Sequence, residues 1–253
     1  MTEQIAKKSS HKMNPLVFFL RTVAKLSCYF VFGVSTIIFS VTLLPLLVIF
    51  VHPYARFQRV CRRILHVCLI GYRWYLRISG VAKVTVSDKK KLLSAKSLII
   101  AANHPSLLDS PIILSFLPCS DFIVKSTLSK KNYLSVIVNS IFIANNMEYE
   151  EIIERTKKNF AAGGTIALFP EGTRVRKGKK YSVKGGAAMI AIRSGVRMVP
   201  VFIGTSKRLF RKIPIIFGKP YTPVYTGRRG TAEEYQTNAE EIMRQAYELG
   251  GVR

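Results

Sequence analysis

The chain has 253 residues, enough for one domain with a complete hydrophobic core and an appendage but too few for two large domains. Its 39 lysines and arginines against 14 acidic residues give a net charge of +25, which implies an anionic partner: nucleic acid, an acidic membrane surface or a phosphorylated substrate. The hydrophobic fraction of 49% favours the membrane over nucleic acid. The distribution of charge agrees, because twelve basic residues and no acidic residue lie between Glu3 and Asp88.

The first predicted element is an apolar helix near the N-terminus. Residues 1 to 26 are polar and basic, whereas Cys28 to Val51 is a run of 24 residues without a charge. As a helix this run would be about 36 Å long, against a bilayer hydrocarbon core of about 30 Å. It is too long for a secretory signal peptide. Gly33 and Pro45 leave a kinked re-entrant hairpin as the alternative to a span, and basic residues on both flanks leave the orientation open.

A second helix, from Arg59 to Arg77, is predicted to have a narrow cationic face. In helical projection the basic side chains occupy a sector of about 100°, and apolar side chains fill the rest. The cationic face consists of Arg59, Arg62, Arg63, His66, Arg73 and Arg77. Such a helix, with Trp74 and Tyr75 near one end, is suited to an anionic bilayer interface. The alternative is that its apolar face packs on the rest of the protein and the arginines are solvated. We therefore predict a membrane-anchoring helical region over residues 1–79.

The four cysteines predict neither a metal site nor a disulfide. Cys28, Cys61, Cys68 and Cys119 show no C-x-x-C spacing and no neighbouring histidine cluster, so a zinc site is not expected. If Cys61 and Cys68 share a helix, their Cα atoms lie about 10 Å apart along its axis, too far for a disulfide. Small apolar side chains in a reducing compartment are the simpler interpretation.

From residue 81 onward, short apolar runs alternate with helical patterns, which predicts an α/β domain over residues 80–253. Strands are expected at 81–86, 97–102, 121–125, 141–144, 165–169, 198–203 and 215–217. Helices are expected near 107–117, 128–138, 149–161, 184–194 and 231–249. Strands interleaved with helices indicate a sheet that is covered by helices on both faces.

The polar segment Asn103 to Asp109, NHPSLLD, directly follows one of these strands. It places His104 at a strand end and Asp109 in the first turn of the next helix. A carboxylate there can bond one imidazole nitrogen, fix the tautomer and leave the other nitrogen as a general base. Ser106 and Asp109 also match a capping box, which would make Asp109 a helix-start residue and nothing more.

A second polar segment, Phe169 to Arg174 with the sequence FPEGTR, follows the strand at 165–169. Two strand ends that carry unusual polar sequences indicate one shared site. Together with the H-x-x-x-x-D frame of His104 and Asp109 and the apolar run from Val199 to Ile203, this segment resembles three of the four sequence blocks of the glycerolipid acyltransferases. The branch that it resembles contains the 1-acyl-sn-glycerol-3-phosphate acyltransferases and related lysophospholipid acyltransferases. The similarity spans about residues 80 to 225.

The resemblance implies a fold, an activity and a location. The fold would be glycerolphosphate acyltransferase-like, a mixed sheet flanked by helices behind an N-terminal membrane-associated segment. The activity would be membrane-bound transfer of a fatty acyl group from acyl-CoA or acyl-carrier protein to the hydroxyl of a lysophospholipid, giving phosphatidate from 1-acyl-sn-glycerol-3-phosphate. Because a thioester is already activated, no metal, no cofactor and no covalent intermediate are expected. The expected partners are the two substrates and anionic lipids of the cytoplasmic membrane, with the catalytic domain facing the cytoplasm and no nucleic acid.

The resemblance also implies residue roles. His104 would be the general base and Asp109 would orient it. Glu171, Gly172, Thr173 and Arg174 would bind the phosphate-bearing acceptor, with Glu171 positioning Arg174 or a glycerol hydroxyl. Lys125 resembles a basic position that contacts the acceptor phosphate, and Pro200 is assigned a packing role. A basic segment follows the FPEGTR string and could meet headgroups, coenzyme A phosphates or an acidic carrier protein: Arg176, Lys177, Lys179, Lys180 and Lys184.

One sequence block departs from the family pattern. The second block commonly ends in an arginine that contacts the acceptor phosphate, whereas this chain has Ala144, Asn145 and Asn146. A differently headed acceptor, such as a lyso-aminolipid or a polyene-type lipid, is therefore the alternative substrate. The alternative from another class is a non-enzymatic basic membrane-binding protein.

Overall fold

A helical hairpin and a seven-stranded mixed sheet make up the computed structural model of the chain. The structure describes residues 14–51, 54–87, 96–118, 120–124, 142–144, 147–175, 182–205 and 212–251. Within these ranges the helices are α1 (Pro15–Ile38), α2 (Leu44–Phe50), α3 (Tyr54–Ile78), α4 (Asp109–Leu114), α5 (Tyr149–Ala161), α6 (Gly186–Ser194) and α7 (Ala232–Leu249). The strands are β1 (Lys83–Val86), β2 (Leu98–Ala102), β3 (Ser120–Val124), β4 (Ile143–Ala144), β5 (Thr165–Leu168), β6 (Arg197–Ile203) and β7 (Lys212–Phe217).

These elements match the predicted ones closely, and most bounds shift by one or two residues. The helix expected at 128–138 and Lys125 lie outside the described residues, as do Asn145 and Asn146. The largest difference is at the N-terminus, where α1 begins at Pro15, well before the uncharged run. Asn14 caps this helix by accepting a hydrogen bond from the Leu16 N–H at 2.9 Å, and proline is favoured at the first helical position.

The apolar run forms one continuous helical rod up to Phe50. A π-helical turn, Phe39–Leu43, joins α1 to α2 directly before Pro45. Because proline lacks an N–H and crowds the preceding turn, the wider π geometry accommodates it without breaking the helix. Pro15–Phe50 is the one described helix that is long and apolar enough to cross a membrane by length and composition. The structure therefore places no reversal at Gly33 or Pro45.

The chain reverses after Val51, and α3 runs back along α1 and α2. The Tyr72 hydroxyl donates to the Cys28 carbonyl at 3.0 Å, and the Tyr75 hydroxyl donates to Ser27 Oγ at 3.0 Å. At the other end of the pair, Phe39 and Leu44 share a small core with two residues of the first turns of α3, Phe57 and Cys61. Early residues of α3 thus contact late residues of the rod, which makes the pair an antiparallel hairpin.

The predicted cationic face of α3 is only partly exposed, and this corrects the sequence interpretation. Three of its members face the rest of the protein. The Arg62 guanidinium pairs with Asp121 of β3, His66 Nδ1 lies 2.9 Å from the Leu114 carbonyl of α4, and the Arg73 guanidinium lies 3.9 Å from the centre of the Phe116 ring. The physical reason is that the α3 face towards β3 and α4 meets a carboxylate, a helix-end carbonyl and an aromatic face, all of which attract cations.

The sheet has the strand order β1-β7-β6-β2-β5-β3-β4. Strands β6, β2, β5, β3 and β4 are parallel neighbours, whereas β7 is antiparallel to β6, and β1 is parallel to β7. This is the predicted mixed sheet. Because the central strands are parallel, their carboxyl ends meet at one edge, where the loops after β2 and β5 lie side by side.

Alternate residues of the strands supply two separate cores on the two faces of the sheet. On β2, Ile100 and Ala102 join a core with the hairpin and α4, whereas Ile99 and Ala101 join a core with α5, α6 and α7. The first core includes Cys28, Leu69, Tyr72 and Leu76 of the hairpin, so the hairpin packs on the sheet directly. The predicted domain boundary between residues 79 and 80 remains a prediction.

A buried ion pair links the hairpin to the sheet. Arg62 Nη2 lies 2.7 Å from Asp121 Oδ1 and 2.8 Å from Oδ2, and Asn159 Nδ2 donates to Oδ2 at 2.6 Å. Gly164 makes room for this arrangement, since a Cβ there would lie 1.4 Å from Asn159 Oδ1. Burial raises the pKa of Asp121 to about 6, although Arg62 and Asn159 act in the opposite direction. Between the ordinary pKa of an aspartic acid and about pH 6, the native state therefore holds a proton on Asp121 that the unfolded chain has released. The free energy of unfolding falls as the pH rises through this interval.

We expect Arg62→Met to lower the free energy of unfolding by about 3 kcal/mol near pH 8, because it leaves a buried carboxylate without its cation. Near pH 5 the loss should be smaller, because Asp121 is then largely protonated in the native state. Denaturant unfolding in detergent at the two pH values measures both effects. The double variant Arg62→Met with Asp121→Asn is the control and should recover most of the loss. Equal losses at both pH values would show that the pair does not carry the effect.

Candidate active site

Two loops at the carboxyl edge of the sheet are joined through His104, the residue that follows Asn103 at the end of β2. The His104 N–H donates to Glu171 Oε2 at 3.1 Å, and its carbonyl accepts from the Val175 N–H at 2.8 Å. Glu171 and Val175 belong to the loop after β5, and β5 is the direct neighbour of β2. The structure thus brings together His104, Asp109 and the turn at 171–174, as the two polar strand ends predicted.

The imidazole of His104 is bonded to the carboxylate of Asp109. His104 Nδ1 lies 2.9 Å from Asp109 Oδ2, and the Asp109 side chain is buried. The same carboxylate accepts the Ser106 N–H at 2.5 Å and the Ser106 hydroxyl at 2.7 Å. The capping-type turn and the histidine–carboxylate pair therefore coexist, because three donors share the two carboxylate oxygens. The helix itself begins at Asp109, two residues later than a capping box on Ser106 would place it.

Two further contacts hold His104, and sequence reasoning assigned neither of them. The imidazole ring stacks on the Phe169 ring, with centroids 4.1 Å apart and planes 9° apart. Directly before His104, the Asn103 side chain donates to the Ile203 carbonyl at 3.0 Å and accepts from the Ile203 N–H at 2.6 Å. Asn103 thereby continues the pairing of β2 with β6 beyond the end of the strand. The only available signal was a polar residue placed between an apolar strand and a histidine.

Glu171 has a different environment from the one expected. It is 4% exposed, and its carboxylate bonds the His104 N–H and the hydroxyl of Tyr247, a residue of α7. The sequence predicted that Glu171 positions Arg174 or a glycerol hydroxyl, whereas in the structure its two carboxylate oxygens are bonded to His104 and Tyr247. Burial raises the pKa of Glu171, and the hydrogen bonds from Tyr247 and His104 lower it in part.

The rest of the FPEGTR turn faces outwards. Gly172 has a φ of +60°, the left-handed region, and its N–H donates to the Phe169 carbonyl at 2.9 Å. A Cβ at this position would lie 3.2 Å from the Lys184 side chain, so glycine suits both the backbone angle and the contact. Thr173 and Arg174 are exposed. A hydroxyl, a guanidinium and the nearby ammonium of Lys184 are therefore available to an anionic ligand at this turn.

A family model described as acyltransferase matches residues 83–204, which include both loops of the site. A probable 1-acyl-sn-glycerol-3-phosphate acyltransferase of Mycoplasma genitalium is 24% identical over 221 residues, covering 77% of this chain and 78% of that protein. A second protein with the same description, from Mycoplasma pneumoniae, is 27% identical over 198 residues, covering 68% and 71%. A chloroplastic 1-acyl-sn-glycerol-3-phosphate acyltransferase of Arabidopsis thaliana is 26% identical over 175 residues, covering 66% and 49%.

The fold also has a counterpart among solved structures. The crystal structure of a 1-acyl-sn-glycerophosphate acyltransferase from Thermotoga maritima superposes with a TM-score of 0.66 at 23% identity, over 92% of this chain and 97% of that one. The match includes the N-terminal helices as well as the sheet, because so little of either chain is left out. The predicted mixed sheet flanked by helices is therefore confirmed. The family model and these relatives, on a matching fold, together support the glycerolipid acyltransferase family and an acyltransferase activity for this chain.

Proposed function

We propose that the protein transfers a fatty acyl group from an acyl thioester to the free hydroxyl of 1-acyl-sn-glycerol-3-phosphate and so forms phosphatidate. The observation that carries this proposal is the pairing of His104 with Asp109 beside a turn that exposes Thr173 and Arg174. One half of the site is suited to removing a proton, and the other half is suited to holding a phosphate. The similarity to probable 1-acyl-sn-glycerol-3-phosphate acyltransferases supports the same acceptor.

The proposed reaction needs one base that later acts as an acid. Asp109 holds the tautomer in which Nδ1 carries the proton, so Nε2 of His104 takes the proton of the acceptor hydroxyl. The hydroxyl oxygen attacks the thioester carbonyl carbon, and a tetrahedral oxyanion forms. Its collapse breaks the carbon–sulfur bond, and the leaving thiolate takes the proton back from Nε2. The base is thus restored, and the chemistry requires no metal and no cofactor beyond the acyl-CoA or acyl-carrier protein that brings the acyl group.

Acceptor binding is assigned to the turn after β5. The planar guanidinium of Arg174 can give two hydrogen bonds to phosphate oxygens, Thr173 adds a hydroxyl, and Gly172 lets the backbone approach. Lys184 lies against this turn and supplies a second positive charge. Lys125 is retained as a proposed contact of the acceptor phosphate, on the strength of the family resemblance alone. Glu171 is assigned to holding His104, not to the acceptor.

The hairpin is proposed to attach the protein to the cytoplasmic membrane, with the catalytic domain on the cytoplasmic side. On α1 the large apolar side chains Phe18, Phe19, Leu26 and Phe30 are each more than half exposed, and on α3 the same holds for Val67, Trp74 and Ile78. The charges favour an orientation in which the hairpin side of the sheet faces an anionic membrane and the α5 and α7 side faces away from it. The hairpin sequence carries no acidic residue, whereas nine of the 14 acidic residues belong to α5 and α7 and the residue before α5, on the opposite face of the sheet.

The contacts with the sheet favour a hairpin that lies along the domain and enters one leaflet. Cys28 and its neighbours pack on the sheet core, so this part of the rod is covered by protein and not by lipid. A hairpin that lies along the interface keeps the basic residues at both ends of the apolar run near the membrane surface, which agrees with the lack of charge asymmetry. Anionic lipids are the proposed binding partner, through exposed arginines such as Arg56, Arg63 and Arg77.

We expect His104→Ala to lower kcat by about a thousandfold or more, because it removes the proposed base. The assay uses purified protein with lysophosphatidate, a lyso-aminolipid and a neutral lysolipid as acceptors, and both acyl-CoA and acyl-carrier protein as donors. His11→Ala is the matched control, because His11 lies in the polar N-terminal part of the sequence, outside both segments that supply the site. Its turnover should stay near that of the wild type. Turnover by His104→Ala at the wild-type rate would remove His104 as the base, and a preference for the lyso-aminolipid would replace the proposed acceptor.

We expect Arg174→Ala to raise KM for lysophosphatidate by about tenfold or more and to leave KM for the donor unchanged, because a charged hydrogen bond to phosphate is lost. KM for a neutral lysolipid should change little. Arg155→Ala is the control, since this exposed arginine pairs with Glu151 on α5. An unchanged KM for lysophosphatidate would place the phosphate elsewhere.

We expect Trp74→Ala to weaken binding to vesicles of phosphatidylglycerol and phosphatidylethanolamine by about tenfold, because an indole at a bilayer interface contributes more than 1 kcal/mol. Co-sedimentation or flotation of the vesicles measures this. Tyr149→Ala is the matched control, since Tyr149 is a similarly exposed aromatic residue on α5, with 69% exposure against 65% for Trp74. Equal effects of the two substitutions would contradict a membrane-binding face on the hairpin.

A further inference from the structure

Tyr247 lies on the C-terminal helix α7, outside the region that matches the family model and outside every motif of the sequence. We infer that Tyr247 is a positioning residue, which acts on His104 through Glu171. The inference rests on the proposed function, because it takes His104 to be the base. The chain of contacts is short: the Tyr247 hydroxyl donates to Glu171 Oε1, and Glu171 Oε2 accepts the His104 N–H at 3.1 Å.

The position of the Tyr247 hydroxyl is fixed by the packing of α7. One face of this helix is buried against the sheet and α6 through Ala239, Ile242, Met243 and Ala246. The end of the helix is seated as firmly, because a Cβ at Gly250 would lie 2.4 Å from the Phe202 ring of β6. Tyr247 is thus carried by a helix that has little freedom to shift along or rotate on the sheet.

The carboxylate of Glu171 needs both of its partners. At 4% exposure it has little access to water, and an unpaired buried carboxylate oxygen costs several times the net free energy of an ordinary hydrogen bond. The groups that face it are the Tyr247 hydroxyl, the His104 N–H and imidazole, and the carboxylate of Asp109, while Lys184 lies against the adjacent Gly172. Without the Tyr247 donor, the Glu171 side chain gains by turning towards water or by taking up a proton. Either change weakens its bond to the His104 N–H.

The expected consequence concerns the rate of the chemical step. His104 is held at its N–H, its carbonyl, its Nδ1 and its ring face, and the N–H is the one anchor that depends on α7. A shift of a few tenths of an ångström in a general base is felt in proton transfer. Tyr247 bonds Glu171, the buried residue of the turn, whereas acceptor binding is assigned to the exposed Thr173 and Arg174. Its loss should therefore lower kcat and leave KM for both substrates nearly unchanged.

The test compares Tyr247→Phe with Tyr235→Phe in the full-length protein. Both tyrosines lie on α7, and each hydroxyl donates one hydrogen bond, from Tyr235 to the Arg229 carbonyl and from Tyr247 to Glu171. We expect Tyr247→Phe to lower kcat about tenfold with KM for acceptor and donor within about twofold of wild type. Tyr235→Phe should leave kcat unchanged. A wild-type kcat in Tyr247→Phe, or the same loss in both variants, would overturn the inference.

A double-mutant cycle identifies Glu171 as the intermediary. Glu171→Gln alone should lower kcat, and adding Tyr247→Phe to it should have little further effect, because the two residues act through one contact. Fully additive losses would show that Tyr247 acts by another route. Wild-type and His104→Ala proteins in the same assay separate a failure of the proposed function from a failure of the inference about Tyr247. If His104→Ala retains activity, the proposed base is wrong. If His104→Ala loses activity and Tyr247→Phe has no effect, only the positioning role of Tyr247 is refuted.

Discussion

The parallel pairing of β2 with β5 is the constraint on which the site depends. Neighbouring parallel strands end at the same edge of the sheet. A histidine after β2 and a glutamate after β5 are therefore close together. Asn103 and His104, the residues directly after β2, lie beyond the strand pairing. Two side chains hold this part of the backbone instead. Asn103 extends the pairing with β6, and Glu171 binds the next N–H along. These contacts fix His104 relative to the sheet, although it lies in a loop.

The position of α4 depends on the helical hairpin. This helix has only six residues, starts at Asp109 and ends at the carbonyl that His66 approaches. Isolated helices of this length are not stable, so its orientation comes from packing between the sheet and α3. Arg62 and Arg73 contribute contacts to β3 and to the residues after α4, on the same side of α3. The segment that carries the apolar surface thus also supports the carboxylate of the site.

Much of this could be predicted from the sequence, and the failures have physical causes. Strand and helix positions and the meeting of His104 with Asp109 follow from local patterns that are strong in this chain, whereas the mixed sheet was implied by the family resemblance. The direction of the cationic face of α3 could not be predicted, because helical periodicity shows that Arg62 and Arg73 share a face but does not show what lies opposite that face. The contacts of Glu171 were not predicted for a similar reason, since its motif suggested a ligand contact while its partner Tyr247 is 76 residues away in sequence. No local pattern distinguishes Tyr247 from Tyr235, the other tyrosine of α7.

The short length of α4 has a consequence for a lipid substrate. Six helical residues span about 9 Å, so the dyad lies within that distance of the contacts between α4 and the hairpin. An acceptor that keeps its acyl chain in the leaflet can reach the base only if the base stands near the bilayer surface, because the free hydroxyl is on the glycerol next to that chain. The exposed Leu107, between His104 and Asp109 in sequence, adds an apolar group on this side. Under the proposed membrane attachment, the hairpin would both bind the bilayer and set the height of the dyad above it.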